Sequence, residues 1–358
     1  MSENKRKEQL KQLIISLCSV SSVSGFEKRA SEKVKELCSE GFDEFYSDSV
    51  GNCTLVKRCG RENAPRVLVD AHLDEVGMIV SGICDGGFLR VTNMGGIDVS
   101  ILQAADVMIY GNEILRGVIG STPPHLKKSD DLPKPNELLV DVGLPKEKLE
   151  ELVPLGTPVG FAPVYTELLG EKLCGKAFDD KACGACAVFA VANTPRENLA
   201  ADVYVTLSAM EETNRLGGVS ASTFAIDPDY AMTIDVGFAR TPGTKDLETS
   251  KMGEGISITA SASTHRVLTE LCEKLCDKHE IPYTVLASPM GTGTNATSVN
   301  LVGLGIPVVD VGLPLASMHT YVEVISLTDA LTLCDLVSRF ICDKDIAAKM
   351  TQREEIEL

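Results

Sequence analysis

The run Val203-Tyr204-Val205-Thr206-Leu207-Ser208-Ala209-Met210, followed at once by Glu211-Glu212, constrains the fold more than any other segment of this chain. It reads as a buried strand that delivers two adjacent carboxylates to its C-terminal end. Two ionised groups side by side at a sheet edge repel each other and lose solvation unless something positive holds them. A metal ion is the commonest solution.

The same pattern recurs along the chain. His72 follows Val67-Leu68-Val69-Asp70-Ala71, Asp235 closes Ala231-Met232-Thr233-Ile234, and His319 lies just beyond Val308-Val309-Asp310-Val311. In an open α/β sheet, ligands bind outside the carboxyl ends of the strands, so residues far apart in sequence converge there. Imidazole and carboxylate donors in this mixture suit zinc, cobalt or manganese more than calcium or magnesium. Each residue alone has a duller explanation, since a buried histidine is often a satisfied core residue and an aspartate ending a strand is often a turn former or cap. The metal reading rests on the set. Asp74, two residues after His72, is expected to hydrogen-bond the ring nitrogen of His72 that faces away from the metal. Asp179-Asp180, at the start of a helix, divide between a ligand and a helix cap.

Helical periodicity marks Glu8 to Val20, Glu27 to Cys38, Lys181 to Ala192, Thr264 to His279, a short stretch around Thr297 and the segment after Thr328. Strands are expected at Gly51 to Lys57, Arg66 to Ala71, the Val203 run, Tyr230 to Val236, Tyr283 to Ala287 and Pro307 to Val311. Helices alternating with strands imply an α/β fold whose mixed sheet is flanked by helices on both faces. Residues 72–165 differ: short β-like runs with many Gly and Pro, and one helix from Pro145 to Leu152. They read as a small β-rich domain inserted into a main domain of residues 1–71 and 166–358. The proline-punctuated stretch from Thr122 to Asn136 reads as an exposed or mobile loop.

The net charge of -17 argues against a nucleic-acid partner, which requires a surplus of Lys and Arg. No apolar run reaches membrane-spanning length, and the charged start from Met1 to Glu8 lacks the apolar core of a signal peptide, so no membrane association and a cytoplasmic location are expected. The twelve cysteines are scattered and read as reduced thiols. Cys183 and Cys186 have CxxC spacing, yet their Gly and Ala neighbours suggest a tightly packed helix.

Several motifs run in register over nearly the whole chain. They are Asp70-Ala71-His72-Leu73-Asp74-Glu75-Val76-Gly77, Gly117-Val118-Ile119-Gly120 followed by Pro123-Pro124-His125, Phe178-Asp179-Asp180-Lys181, Glu211-Glu212, Asp235-Val236-Gly237, and His319 with Glu323. Together they resemble the glutamyl aminopeptidase and "cellulase M" family of dinuclear metallopeptidases, the tetrahedral aminopeptidases. The resemblance implies two divalent metal ions per chain (Zn, Co or Mn). His72 and Asp235 would serve one, Glu212 and His319 the other, with Asp179 bridging and Glu211 as general base. Asp179 is chosen over Asp180 because related dinuclear peptidases place the bridge two residues before the basic residue, here Lys181. The implied activity is hydrolysis of N-terminal residues from peptides by a hydroxide shared between the metals. The inserted domain would drive a homodimer, and dimers a tetrahedral homododecamer.

Lys181 stands where the family usually has Arg, which removes a bidentate fork. Asn295 stands where it often has Asp, which is expected to alter the electrostatics of the substrate pocket. The segment Thr213 to Leu216 departs from the usual Glu-Glu-Val-Gly pattern and implies a differently shaped loop. A degenerate scaffold or a deacylase with the same ligands are alternatives. A glycoside hydrolase fits less well, because its carboxylates flank a bond from opposite sides and this chain has no Trp for sugar stacking.

Overall fold

The computed structural model describes residues 2–121, 123–126, 134, 137–213 and 217–351. At its centre lie four parallel strands, Asp202–Ser208, Arg66–His72, Tyr230–Phe238 and Val308–Ala316, adjacent in that spatial order. Apart from their first residues and the last residues of two of them, these strands are buried on both faces, as an internal parallel sheet requires. Their register places Ser208 opposite His72, Thr233 opposite Asp70, and Asp235 opposite Gly312. The carboxyl ends of all four strands therefore open on the same side.

Antiparallel strands extend this centre and make the 11-stranded sheet mixed. Cys53–Lys57 and Glu44–Ser47 flank one side, while Glu323–Ser326, Lys172–Gly175 and Thr166–Leu168 flank the other. Ile256–Ser261 and Tyr283–Ser288 branch from the strand Val308–Ala316. Helices Glu3–Cys18, Phe178–Asn193 and Leu327–Phe340 cover the face that carries Val67, Val69, Val205, Met232 and Val311. Helices Val219–Ile226 and Ala296–Asn300 cover the opposite face over Leu68, Tyr204, Ala231 and Val308.

The helix Phe178–Asn193 is buried from Phe178 to Val191, which its small residues permit. A Cβ at Gly184 would sit 2.9 Å from the Leu207 side chain, so helix and strand approach more closely than any larger residue allows. Cys183 and Cys186 are buried, and none of the twelve cysteines is in a disulfide. Sequence periodicity misses Val219–Ile226, whose Ser, Ala and Thr residues give little polar contrast, and the strands Ile256–Ser261 and Glu323–Ser326.

The chain leaves the sheet after His72 and builds a closed barrel of six strands: Gly77–Cys84, Phe88–Met94, Leu139–Asp141, Ile114–Ile119, Asp106–Tyr110 and Pro158–Phe161, the last pairing with the first. Closure removes exposed edges. The barrel has its own core, including Met78, Val91, Val107, Ile109, Val140 and Val159, against which Leu149 of helix Lys146–Leu152 packs. Most of the stretch 122–136 lies outside the described residues.

Barrel and sheet are joined through a buried ion network. Glu75, between the two units, accepts from Lys176 Nζ at 2.5 Å and Lys181 Nζ at 3.0 Å, and its other oxygen accepts from Ser22 N at 3.3 Å. Lys181 also donates to the Val20 carbonyl at 2.7 Å. Burial pushes the Glu75 carboxyl up, but the two ammonium groups outweigh it and hold it down at about 2. Lys181, which stands where the resembled family usually has Arg, thus serves this junction and shares the Glu75 carboxylate with Lys176. Glu75→Leu should leave two buried ammonium groups without a counter-charge and lower stability by about 3–5 kcal/mol. Urea unfolding checks this, and an unchanged midpoint would contradict it.

Candidate active site

The carboxyl ends of the four central strands and the non-helical backbone of Asp179 and Asp180 at the start of Phe178–Asn193 bring together the acidic and histidine residues singled out in the sequence. Asp179 stands in the middle. Its Oδ1 lies 3.0 Å from His72 Nε2 and its Oδ2 lies 3.3 Å from His319 Nε2. His319 Nε2 is also 3.3 Å from Glu212 Oε2, and His72 Nε2 is 3.8 Å from Asp235 Oδ1. Donor atoms of His72, Asp179 and Glu212 fall within 4.8 Å of one another, as do those of His72, Asp180 and Asp235. Asp180 is less available than Asp179, since its Oδ2 accepts the His72 backbone N–H at 3.0 Å.

Backbone clamps set these positions. Ala177, Met210 and His319 all have left-handed backbone, with φ of 59°, 61° and 61°. Such conformations cost non-glycine residues on the order of 1–3 kcal/mol each and persist where surrounding contacts hold them. Here buried carboxylates do so. Glu323 accepts from His319 N at 3.0 Å with one oxygen and from Phe178 N at 2.7 Å and Asp179 N at 3.2 Å with the other. Glu27 accepts from Met210 N at 3.2 Å. Asp74 accepts from Glu211 N at 3.0 Å and Glu212 N at 3.1 Å.

The contact expected from Asp74 therefore differs from the one observed. His72 Nδ1 meets the main-chain carbonyl of Asp74 at 3.0 Å, whereas the nearest carboxylate oxygen is 3.5 Å away, because both carboxylate oxygens are engaged by the Glu211 and Glu212 amides. The Gly96 carbonyl, reaching across from the barrel side, meets His319 Nδ1 at 2.9 Å. Nothing in the sequence points to Gly96, because a main-chain acceptor leaves no residue-type signal. Glu323 gave only its spacing from His319.

The charges are unevenly held. Burial works against the His72 imidazolium, but Asp179 and Asp74 outweigh it and hold His72 well above the usual histidine range. His319 is similarly raised to about 9, burial being outweighed by Asp179 and Glu212. Burial raises Asp179, but the two imidazoles win and keep it well below the usual carboxylate range. Burial, reinforced by neighbouring carboxylates, pushes Glu212 and Asp235 well up, and Glu211 rises for the same reason. Among the described residues no Lys or Arg forms an ion pair with Asp179, Asp180, Glu211, Glu212 or Asp235. Glu212 Oε1 and Asp180 Oδ1 are buried without a hydrogen-bond partner. Converging oxygen and imidazole donors with unmet polar atoms fit divalent cations.

A cleft of about 690 Å³ opens over this cluster, with His72, Asp179, Glu211, Glu212, Asp235 and His319 in its wall. A second cleft of about 840 Å³, between helix Lys28–Cys38 and the barrel, holds none of them. Asn295 is buried behind the cluster, donating to Asp70 Oδ2 at 2.8 Å and Ser208 Oγ at 2.9 Å. Its effect on charge therefore falls on Asp70, which burial pushes up to about 7. Of the divergent segment from Thr213 to Leu216, only Thr213 is described; it hydrogen-bonds Ser24 Oγ at 2.6 Å.

The family model of the M42 glutamyl aminopeptidases matches residues 51–336. A lysyl aminopeptidase of Pyrococcus furiosus is 31% identical over 317 residues, which cover 86% of this chain and 89% of the relative. An aminopeptidase structure from the archaeon Desulfurococcus kamchatkensis has 29% identity and a TM-score of 0.89, covering 98% of this chain and 99% of its own. The TET1 peptidase of Pyrococcus horikoshii, described as assembling into a tetrahedron or a large octahedral shell, has 26% identity and a TM-score of 0.81, with 93% and 99% covered.

Loss of the Asp74 clamp should loosen Glu211 and Glu212 together. Asp74→Ala is expected to weaken zinc binding by about 10–100-fold, as is usual for partners that orient metal ligands. Calorimetric titration with zinc measures this, and an unchanged affinity would show that the clamp does not position the donors.

Proposed function

Because the chain belongs to the M42 glutamyl aminopeptidase family and is an aminopeptidase, a hydrolase acting on peptide bonds, we propose that it works with two divalent metal ions held by the cluster around Asp179. The observation that carries this reading is the Asp179 carboxylate, which presents one oxygen to the His72 side and the other to the His319 side. Asp235 would complete the donors beside His72, and Glu212 those beside His319. Zinc, cobalt or manganese suits this donor set. When bound, the metal pair acidifies a water and polarises the scissile carbonyl.

The protein's own groups do the rest. Glu211 is half-buried in the cleft wall and forms no ion pair with a Lys or Arg among the described residues. Burial raises its pKa, which suits a base that must take a proton from water and return it to the departing amine. Asp74 holds the Glu211 amide, fixing where that carboxylate hangs. His72 and His319 have their Nδ1 atoms against main-chain carbonyls, which leaves both Nε2 atoms facing Asp179. The substrates are peptides with a free N-terminus, and the products a single amino acid and a shortened peptide.

The tetrahedral or octahedral shells of the Pyrococcus horikoshii relative support self-association, and in this reading the chain forms a homodimer through its barrel and a tetrahedral homododecamer from such dimers. Ile114 and Val118 lie on the barrel strand Ile114–Ile119, 50% and 45% exposed, and apolar side chains in that position suit an interface between copies. No described helix is long and apolar enough to cross a membrane. A cytoplasmic location accords with twelve unpaired thiols.

Elemental analysis should find two metals per chain, and release of p-nitroaniline from aminoacyl p-nitroanilides should stop on chelation and return with zinc, cobalt or manganese. Glu211→Gln should lower kcat by about 10²–10⁴-fold with metal content retained. Turnover that survives complete metal removal would overturn the reading. Ile114→Asp together with Val118→Asp should shift the sedimentation coefficient toward that of a smaller species, and unchanged sedimentation would remove this face from the interface.

A further inference from the structure

The cleft that holds Asp235 is also lined, two register steps further down the sheet, by a buried carboxylate that the reaction does not use. Asp310 is 3% exposed and lines this cleft. Its Oδ1 accepts from Thr233 Oγ1 at 2.9 Å and from Thr294 Oγ1 at 2.8 Å, and Thr259 stands opposite it in the antiparallel register. Among the described residues it has no Lys, Arg or His within ion-pair distance. Three hydroxyl-bearing residues thus orient a buried carboxylate without supplying the opposite charge that burial normally demands.

The surroundings give this floor a shape. Asp235 pairs in register with Gly312, and Asp310 lies two residues further down the same strand, roughly 6.6 Å at the usual strand rise. The strand Ile256–Ser261 closes the wall tightly, since a Cβ at Gly312 would come within 2.3 Å of Ser257 Oγ. Nearer the mouth the wall is apolar, with Phe238, Leu247, Leu286 and Met318. Glu248, also at the mouth, is engaged by Lys245 at 3.0 Å. The cleft therefore offers a long stem an apolar section of Phe238, Leu247, Leu286 and Met318, then walls carrying the hydroxyls of Ser257, Thr259 and Thr294, and one buried carboxylate beyond them.

We propose that this is the pocket for the N-terminal side chain of the peptide and that Asp310 makes lysine the preferred residue there. The proposal rests on the aminopeptidase reading of the same site. A leucine side chain does not reach the floor and leaves Asp310 buried without a counter-charge, and a glutamate would place a second carboxylate against it. The four-carbon stem of lysine crosses the apolar section and brings a compact ammonium to the carboxylate, with threonine oxygens as further acceptors. Arginine is served less well. A guanidinium forks onto both oxygens of a carboxylate, and Asp310 Oδ1 already accepts two hydroxyls.

The test compares lysine with norleucine, which keeps the stem and lacks the charge. On the metal-replete enzyme, kcat/KM for lysyl p-nitroanilide should exceed that for norleucyl p-nitroanilide by about tenfold or more, with glutamyl p-nitroanilide lowest. Asp310→Asn should reduce the lysine-to-norleucine ratio by about tenfold or more. Calorimetric titration of the unmodified protein with lysine amide and norleucine amide measures the same preference without turnover and without the variant. Equal or better use and binding of the norleucine compounds, or a ratio unchanged by Asp310→Asn, would overturn the assignment. No turnover of any aminoacyl anilide would instead count against the aminopeptidase reading, while the calorimetric preference would still decide the pocket.

Discussion

The Asp179 carboxylate between two imidazoles is the contact on which the rest of the structure depends. Holding a charge there requires the start of a helix, the ends of two strands and a loop returning from the far end of the chain to meet within a few ångströms. The backbone does not meet there at ease, because Ala177, Met210 and His319 all adopt left-handed conformations around the cluster. Buried carboxylates answer that strain by accepting main-chain N–H groups: Glu323 beneath His319 and Asp179, Glu27 behind Met210, Asp74 behind Glu211 and Glu212. The site has two tiers of acids. The outer tier positions backbone, and the inner tier faces the cleft.

That division explains what could be read from the sequence. The inner tier was legible because His72, Glu212, Asp235 and His319 each follow or close an apolar run, so strand patterning alone places them at the same end of the sheet. The alternation of helices and strands likewise gives the α/β class, and the change of texture after His72 marks the β-rich insertion. The outer tier was not legible. Glu27, Asp74 and Glu323 act on amides, and a carboxylate that accepts from a distant backbone looks in sequence like any other acid. Asp74 illustrates the limit, since its spacing suggests a partner for the His72 ring while its side chain is turned to the Glu211 and Glu212 amides. Helix Val219–Ile226 was hidden for a different reason: it buries Ser222 and Thr223 while exposing Ala221, Phe224 and Ala225, so its sequence carries no amphipathic contrast.

Lys181 and Asn295, two of the three departures from the family pattern, both lie one layer away from the cleft. Lys181 is spent on Glu75 and the Val20 carbonyl, in the network that fixes barrel to sheet. Asn295 donates to Asp70, whose other carboxylate oxygen is buried without a partner. Neither residue points its charge, or its lack of one, at the proposed metal donors. The substitutions alter how the cluster is supported and leave the donor atoms themselves in place.

Catalysis and selection, as proposed here, come from one property of parallel strands. Side chains two residues apart share a face, so Thr233, Asp235 and Gly237 on one strand lie beside Asp310, Gly312 and Pro314 on the next. Asp235 near the open end faces the metal cluster. Gly237 and Gly312 carry no side chains, which keeps the groove from being filled by its own walls. Asp310, one step deeper, ends the groove with a charge. A single pleated face thereby sets both the reacting end and the floor, and the distance between them follows from strand geometry. The electrostatics then separate the two: near Asp179 two imidazoles offset part of the acidic cluster and the proposed metals would supply the rest, whereas around Asp310 only hydroxyls face the carboxylate. A negative floor balanced by neutral donors admits a cationic side chain at less cost than any other kind, because the charge it lacks is the one the substrate brings.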